Sequence, residues 1–117
     1  MQSLNVSCAF RFAAAHFLTK YRGKCENLHG HNYKLTVTVQ GAVKPDGMVI
    51  DFHIIEETVQ REVMTELDHS HLNDRFENPT AEHIAIWIWE RLNGKLPLVK
   101  ITLHETEDTY VEYSGER

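Results

Sequence analysis

Between Asn32 and Val43 the chain alternates Tyr33, Leu35, Val37 and Val39 with Lys34, Thr36, Thr38 and Gln40. Successive side chains of a strand point to opposite faces, so a period of two predicts a half-buried β-strand here. Leu4 to Ala15, rich in apolar and aromatic residues, predicts a strand before it. A loop from Lys20 to His31 separates the two, and Lys44-Pro45-Asp46-Gly47 supplies the turn that closes the second. The period then changes. Ile54, Ile55, Thr58, Val59, Val63 and Leu67 recur at three- and four-residue spacing and leave Glu56, Glu57, Gln60 and Arg61 outward, which predicts an amphipathic helix with Asp51 as its N-cap. After a loop from Asp68 to Asn78, Pro79-Thr80 opens a second helix carrying Ile84, Ile86, Trp87, Ile88 and Leu92, ended by Asn93-Gly94. Leu98 to Leu103 and Tyr110 to Tyr113 predict two more strands, joined at His104 to Thr109. The order ββααββ is that of an α+β fold, a four-stranded antiparallel sheet carrying both helices on one face.

Composition narrows the class. At 117 residues, with 42% hydrophobic and 25% charged positions, the chain predicts a single folded domain over residues 1–117. Met1 to Ala9 lacks a basic region followed by an apolar run, and no apolar stretch approaches the roughly 18 residues of a membrane span, so the expectation is a cytoplasmic protein. Two cysteines, Cys8 and Cys25, are too few for a disulfide framework. A net charge of −5 with acids spread along the chain speaks against general nucleic-acid binding. Lys20, Arg22 and Lys24 form the local exception; they read either as a solvated loop or as a hold on a phosphorylated small molecule.

The candidate chemistry starts at His29-Gly30-His31, which runs into the second strand. Residues i and i+2 of an extended chain share a side, so both imidazoles can reach one ion, unless they are two solvent-exposed loop histidines. If the first two strands pair, His16 completes a set of three. Three neutral imidazoles with an open fourth position form a catalytic rather than a structural zinc arrangement, and the same ligands suit copper, nickel or iron. Cys25 stands four residues before His29, where a nearby metal and the cations Lys24 and Arg22 favour its thiolate as a base. Cys8, inside a strand, reads instead as a small buried side chain. Asp68-His69 pairs a carboxylate with an imidazole, the usual setting for proton transfer, although His71 lies close and the dipeptide also suits a helix end. Glu105, at the end of an apolar strand, is either an ordinary turn acid or a carboxylate awaiting a guanidine-like heterocycle edge.

Taken together, Phe12-Ala13-Ala14-Ala15-His16, Cys25-x-x-x-His29-Gly30-His31-Asn32-Tyr33, Leu67-Asp68-His69, Leu72-Asn73, Pro79-Thr80-Ala81-Glu82 and Glu105-Thr106 resemble the 6-pyruvoyltetrahydropterin synthase and 6-carboxytetrahydropterin synthase family nearly end to end. The resemblance implies a tunnel-type fold in which three subunits close a barrel and two trimers stack into a homohexamer. It also implies Zn2+ on His16, His29 and His31, proton handling by Cys25, Asp68 and His69, and pterin anchoring by Glu105 with a further contact from Thr106. The short interval from Cys25 to His29 looks like the bacterial queuosine-pathway branch. Glu26 complicates that assignment, because some relatives use a glutamate at this offset to release 6-hydroxymethyldihydropterin for folate synthesis.

The reaction implied is conversion of 7,8-dihydroneopterin triphosphate to 6-carboxy-5,6,7,8-tetrahydropterin, with loss of triphosphate and acetaldehyde. The folate-branch product, or a dual activity through Cys25 and Glu26, is the enzymatic alternative. A non-catalytic metal-binding scaffold is the alternative of another class; it would need no particular residue at Cys25, Asp68 or Glu105.

Overall fold

The alternation in the first two strands is realised as one long antiparallel ladder. In the computed structural model, which describes residues 2–22 and 27–116, β1 (Ser3–His16) pairs with β2 (His29–Ala42) from Ser3↔Ala42 to His16↔His29. β2 also pairs antiparallel with β4 (Leu98–His104), and β4 with β5 (Tyr110–Tyr113). The register puts Phe10 opposite Leu35, Phe12 opposite Tyr33, and Leu35 and Val37 opposite Leu103 and Ile101, so one face of the sheet is apolar over these rungs. Tyr33, Leu35, Val37, Val39, Ile101 and Leu103 are all inaccessible to solvent.

The helices cover that face. Asp51 caps α1 (Phe52–Val59) by accepting the His53 N–H at 2.9 Å. The rod continues through a π-helical stretch, Gln60–Met64, into α2 (Thr65–Leu67) rather than as one regular helix. Its buried stripe is Ile55, Val59, Val63 and Leu67, each four residues from the last. The wider π turn brings Met64 to the same side. Ile54, expected on the apolar stripe, lies a helical step off it and is 52% exposed. Thr80 caps α3 (Ala81–Leu92), which buries Ile84, Ala85, Ile88 and Leu92 and leaves Ile86 exposed. Gly94, just past α3, takes a positive φ of 89°, the left-handed conformation that glycine reaches without steric cost.

Among the described residues the sheet has five strands, not four. Its order is β3-β1-β2-β4-β5, and the added member, β3 (Ser70–His71), pairs parallel with β1 at Ala14 and Ala15. The segment expected to be loop thus becomes a sheet edge followed by a short 3-10 turn, Leu72–Asp74. No helix among the described residues is long and apolar enough to cross a membrane.

Candidate metal centre and catalytic cleft

The helix-covered face of β1 and β2 changes chemistry at its last rungs. Phe12 and Tyr33 stack at a 4.8 Å centroid separation, and beyond them the same face presents His16, His29 and His31. The ligand atoms of these three imidazoles lie within 4.8 Å of one another. Their rings stand nearly perpendicular pairwise, at 74° for His16 with His29, 86° for His16 with His31 and 88° for His29 with His31. The pairing of strands that the sequence required for a three-histidine set is therefore present.

Hydrogen bonding selects which nitrogens face inward. His16 Nδ1 lies 2.9 Å from the Pro79 carbonyl and His29 Nδ1 lies 2.9 Å from the Asn27 carbonyl. A carbonyl only accepts, so each Nδ1 carries the proton and donates, which leaves Nε2 with the lone pair in a neutral ring. The two Nε2 atoms are 3.2 Å apart. Two imidazole nitrogens bound to one tetrahedral zinc at 2.0–2.1 Å sit about 3.3 Å apart, so the donor set fits such an ion. The Tyr33 hydroxyl approaches His16 Nδ1 at 3.3 Å from the buried side. Burial, and after it the Glu105 carboxylate, raise the tyrosine pKa well above its ordinary value, so this neighbour remains a neutral phenol.

Glu105 stands over the same nitrogens. Its carboxylate oxygens lie 3.8 Å from His16 Nε2 and 4.0 Å from His31 Nε2, its side chain is 30% exposed, and it lines a cavity of about 180 Å³ with Ala81, Glu82 and Tyr110. Thr106 is placed differently. Its hydroxyl is engaged within the 106–109 turn, at 2.6 Å from Thr109 Oγ1 and accepting the Thr109 N–H at 3.1 Å.

Asp68 and His69 are held against β1 by a double clasp at Ala13. The Ala13 N–H donates to Asp68 Oδ1 at 3.0 Å, and the His69 N–H donates to the Ala13 carbonyl at 2.6 Å. His69 takes a φ of 60°, a left-handed conformation uncommon outside glycine, and its side chain is 83% exposed with Nδ1 3.3 Å from Asp68 Oδ1. His71, the other candidate, lies on β3 with its ring edge-on to Phe17 at 6.1 Å. A cavity of about 440 Å³ is lined by His69 on one side and His31, Gly30 and Asn32 on the other. His69 and one member of the histidine trio, His31, therefore border one space.

Cys25, Glu26 and Lys24 lie outside the described residues. Lys20 and Arg22 are exposed, and the Arg22 guanidinium lies 5.2 Å from the Tyr21 ring centroid. Two asparagines given no role from sequence prove to position the segment that leaves His16. Asn73 accepts the Phe17 N–H at 2.9 Å and donates to its carbonyl at 3.0 Å, and Asn78 accepts the Thr19 N–H at 3.0 Å. The Leu72-Asn73 and Asn78-Pro79 dipeptides were the available signals, but a side chain that braces distant backbone has no periodicity to reveal it.

A sheet that ends in three convergent imidazoles under a carboxylate defines an α+β protein with a histidine cluster that could hold a metal ion. The family model for 6-pyruvoyl tetrahydropterin synthase matches residues 5–116, and the chain belongs to that family. It is 43% identical over 91 residues to the dihydroneopterin monophosphate aldolase of Pyrococcus furiosus, covering 74% of this chain and 78% of that protein. It is 34% identical over 136 residues to the 6-carboxy-5,6,7,8-tetrahydropterin synthase of Haemophilus influenzae, covering 92% and 96% respectively. The solved 6-pyruvoyl tetrahydropterin synthase of Caenorhabditis elegans superposes with a TM-score of 0.88 at 30% identity, covering 99% of this chain and 98% of that one.

Proposed function

We propose that the protein is a zinc-dependent 6-carboxytetrahydropterin synthase, converting 7,8-dihydroneopterin triphosphate and water to 6-carboxy-5,6,7,8-tetrahydropterin, acetaldehyde and triphosphate. The observation that supports this reading is the convergence of His16, His29 and His31 within 4.8 Å beneath Glu105, with His31 and His69 lining one cavity. Electrons balance within the substrate: the first and second side-chain carbons are oxidised to carboxylate and aldehyde, while the dihydro ring gains two hydrogens and the third carbon, losing triphosphate, is reduced to the methyl group of acetaldehyde.

His16, His29 and His31 would hold the zinc, whose Lewis acidity would make side-chain hydroxyl and adjacent C–H protons easier to remove. Glu105 accepts hydrogen bonds from the amide and amino groups of the pterin edge, so the ring is oriented as well as bound. Cys25, as thiolate, takes the carbon-bound proton. His69 moves protons at the opposite wall, with Asp68 holding its ring; each such transfer contributes about 10²–10⁴-fold. Thr106 acts by shaping the turn that carries Glu105, since its hydroxyl is already engaged.

A second reading has its own support. The relative named dihydroneopterin monophosphate aldolase is 43% identical, and Glu26 adjoins Cys25, so cleavage between the first and second side-chain carbons to give 6-hydroxymethyl-7,8-dihydropterin is the alternative outcome. Mass spectrometry of pterins formed from dihydroneopterin triphosphate separates the two. The 6-carboxy compound with acetaldehyde supports the first reading, and the 6-hydroxymethyl compound refutes it in favour of the second. The working assembly in this reading is a homohexamer, two stacked trimers whose sheets pair at their open edges. A light-scattering mass equal to one chain would contradict it.

A further inference from the structure

The face of the sheet turned away from the helices carries a row of bases. Arg11 on β1 is the register partner of Lys34 on β2, and Lys34 is the partner of His104 on β4. The three side chains leave neighbouring strands at one level and on one face. Cations directly opposite each other destabilise a strand pair. Neither Arg11 nor Lys34 has an ion pair or side-chain hydrogen bond among the described residues that would relieve this. Lys100, on the same face of β4, shows the ordinary solution: it pairs with Glu112 at 3.3 Å.

The row opens on a cavity of about 410 Å³ lined by Arg11, Lys34, His104, Asn32, Thr106 and Glu107. Glu107 is the one carboxylate lining it and forms no ion pair with either base among the described residues. His104 stacks on Tyr110 at 4.5 Å, and its Nδ1 is shielded from solvent without a partner among the described residues. That leaves Nε2 as the nitrogen through which the ring can meet a ligand. This concentration of bases stands on a chain whose net charge is −5, so it is no part of a generally positive surface.

We infer that Arg11, Lys34 and His104 form a binding site for an oligophosphate group. A guanidinium fork, an ammonium and an imidazole N–H together offer charge-assisted donors to several phosphate oxygens, which a single cation cannot do. The site adjoins the cleft. Asn32 lines both this cavity and the one bordered by His31 and His69, and Lys34 follows it by two strand residues, about 6.6–6.8 Å. A substrate reacting beside His31, which points to the opposite face, would carry its phosphate chain round the Asn32 rung that borders both cavities to reach the bases, a step that rests on the function proposed above. The other source of the same chemistry is a free polyphosphate anion.

Calorimetric titration of the full-length protein with inorganic triphosphate tests the site. Lys34→Gln and Arg11→Gln should each weaken binding by about tenfold or more, with the far-ultraviolet spectrum and bound metal unchanged and Lys34→Arg restoring most of the affinity. A parallel rise in KM for dihydroneopterin triphosphate, with kcat preserved, identifies the ligand as the substrate's own chain. Loss of triphosphate affinity with KM unchanged supports the site with the free anion as its ligand. Equal triphosphate affinity in wild type and both glutamine variants, or no binding to wild type, overturns the inference. Absence of any turnover would refute the proposed reaction and leave the titration readable.

Discussion

His16 Nε2 and His29 Nε2 face each other across 3.2 Å, and the second nitrogen of each ring points at a backbone carbonyl. With both Nδ1 atoms donating, two lone pairs oppose one another, an arrangement that a shared cation relieves. Replacing His29 by alanine should lower zinc affinity by more than about 100-fold, since one of three protein ligands is lost. Competition with a chromophoric chelator measures this, and wild-type affinity in His29→Ala would exclude the trio as the metal site.

Asp68 has two tasks, accepting the Ala13 N–H and facing His69 Nδ1. Asp68→Asn retains an oxygen for the first and loses the negative charge needed for the second. Turnover should fall by about 10²–10⁴-fold while zinc stays bound. Wild-type kcat in this variant would remove Asp68-His69 from proton transfer.

Glu105 lies close enough to the histidine nitrogens that it competes for two roles, pterin anchor and additional metal ligand. Glu105→Gln distinguishes them. An amide presents a donor where the pterin edge also donates, so KM should rise at least about tenfold with metal affinity unchanged. A matching loss of zinc affinity would reassign Glu105 to the metal.

The site was legible where it followed strand periodicity. His29 and His31 share a face because the spacing is two, and His16 joins them because β1 and β2 pair over their full length. β3 left no such trace: Ser70–His71 is too short to show a period, and it joins the sheet through the clasp between Ala13, Asp68 and His69. Ile54, by its spacing, and Ile86, as one of the apolar residues of its helix, looked like core, yet both are exposed, at 52% and 38%. The choice between His69 and His71 as the partner of Asp68 depended on a positive φ at His69, which a dipeptide does not announce. The row of Arg11, Lys34 and His104 emerged only once the strand order and register were in hand.

Cys8 gives a pH test that is independent of catalysis. Burial, and secondarily the negative charge of Glu56, raise its thiol above the usual pKa of 9.0. The reactive thiolate therefore forms at higher pH in the folded protein than in the unfolded chain, where the thiol has its ordinary value. In a Cys25→Ser background, the alkylation rate plotted against pH should rise later for folded than for denatured protein, and Glu56→Gln should move the folded curve toward lower pH. Coincident folded and denatured curves would show that Cys8 feels neither effect.

Metal reconstitution tests the role of the three histidines most directly. Metal-free protein is titrated with Zn2+ while conversion of dihydroneopterin triphosphate is followed by the pterin product formed. Turnover should be absent at the start, rise in proportion to added zinc, and level off at about one ion per subunit, with His31→Ala showing neither binding nor turnover. Full turnover by the chelated, metal-free protein would contradict a catalytic centre built on His16, His29 and His31.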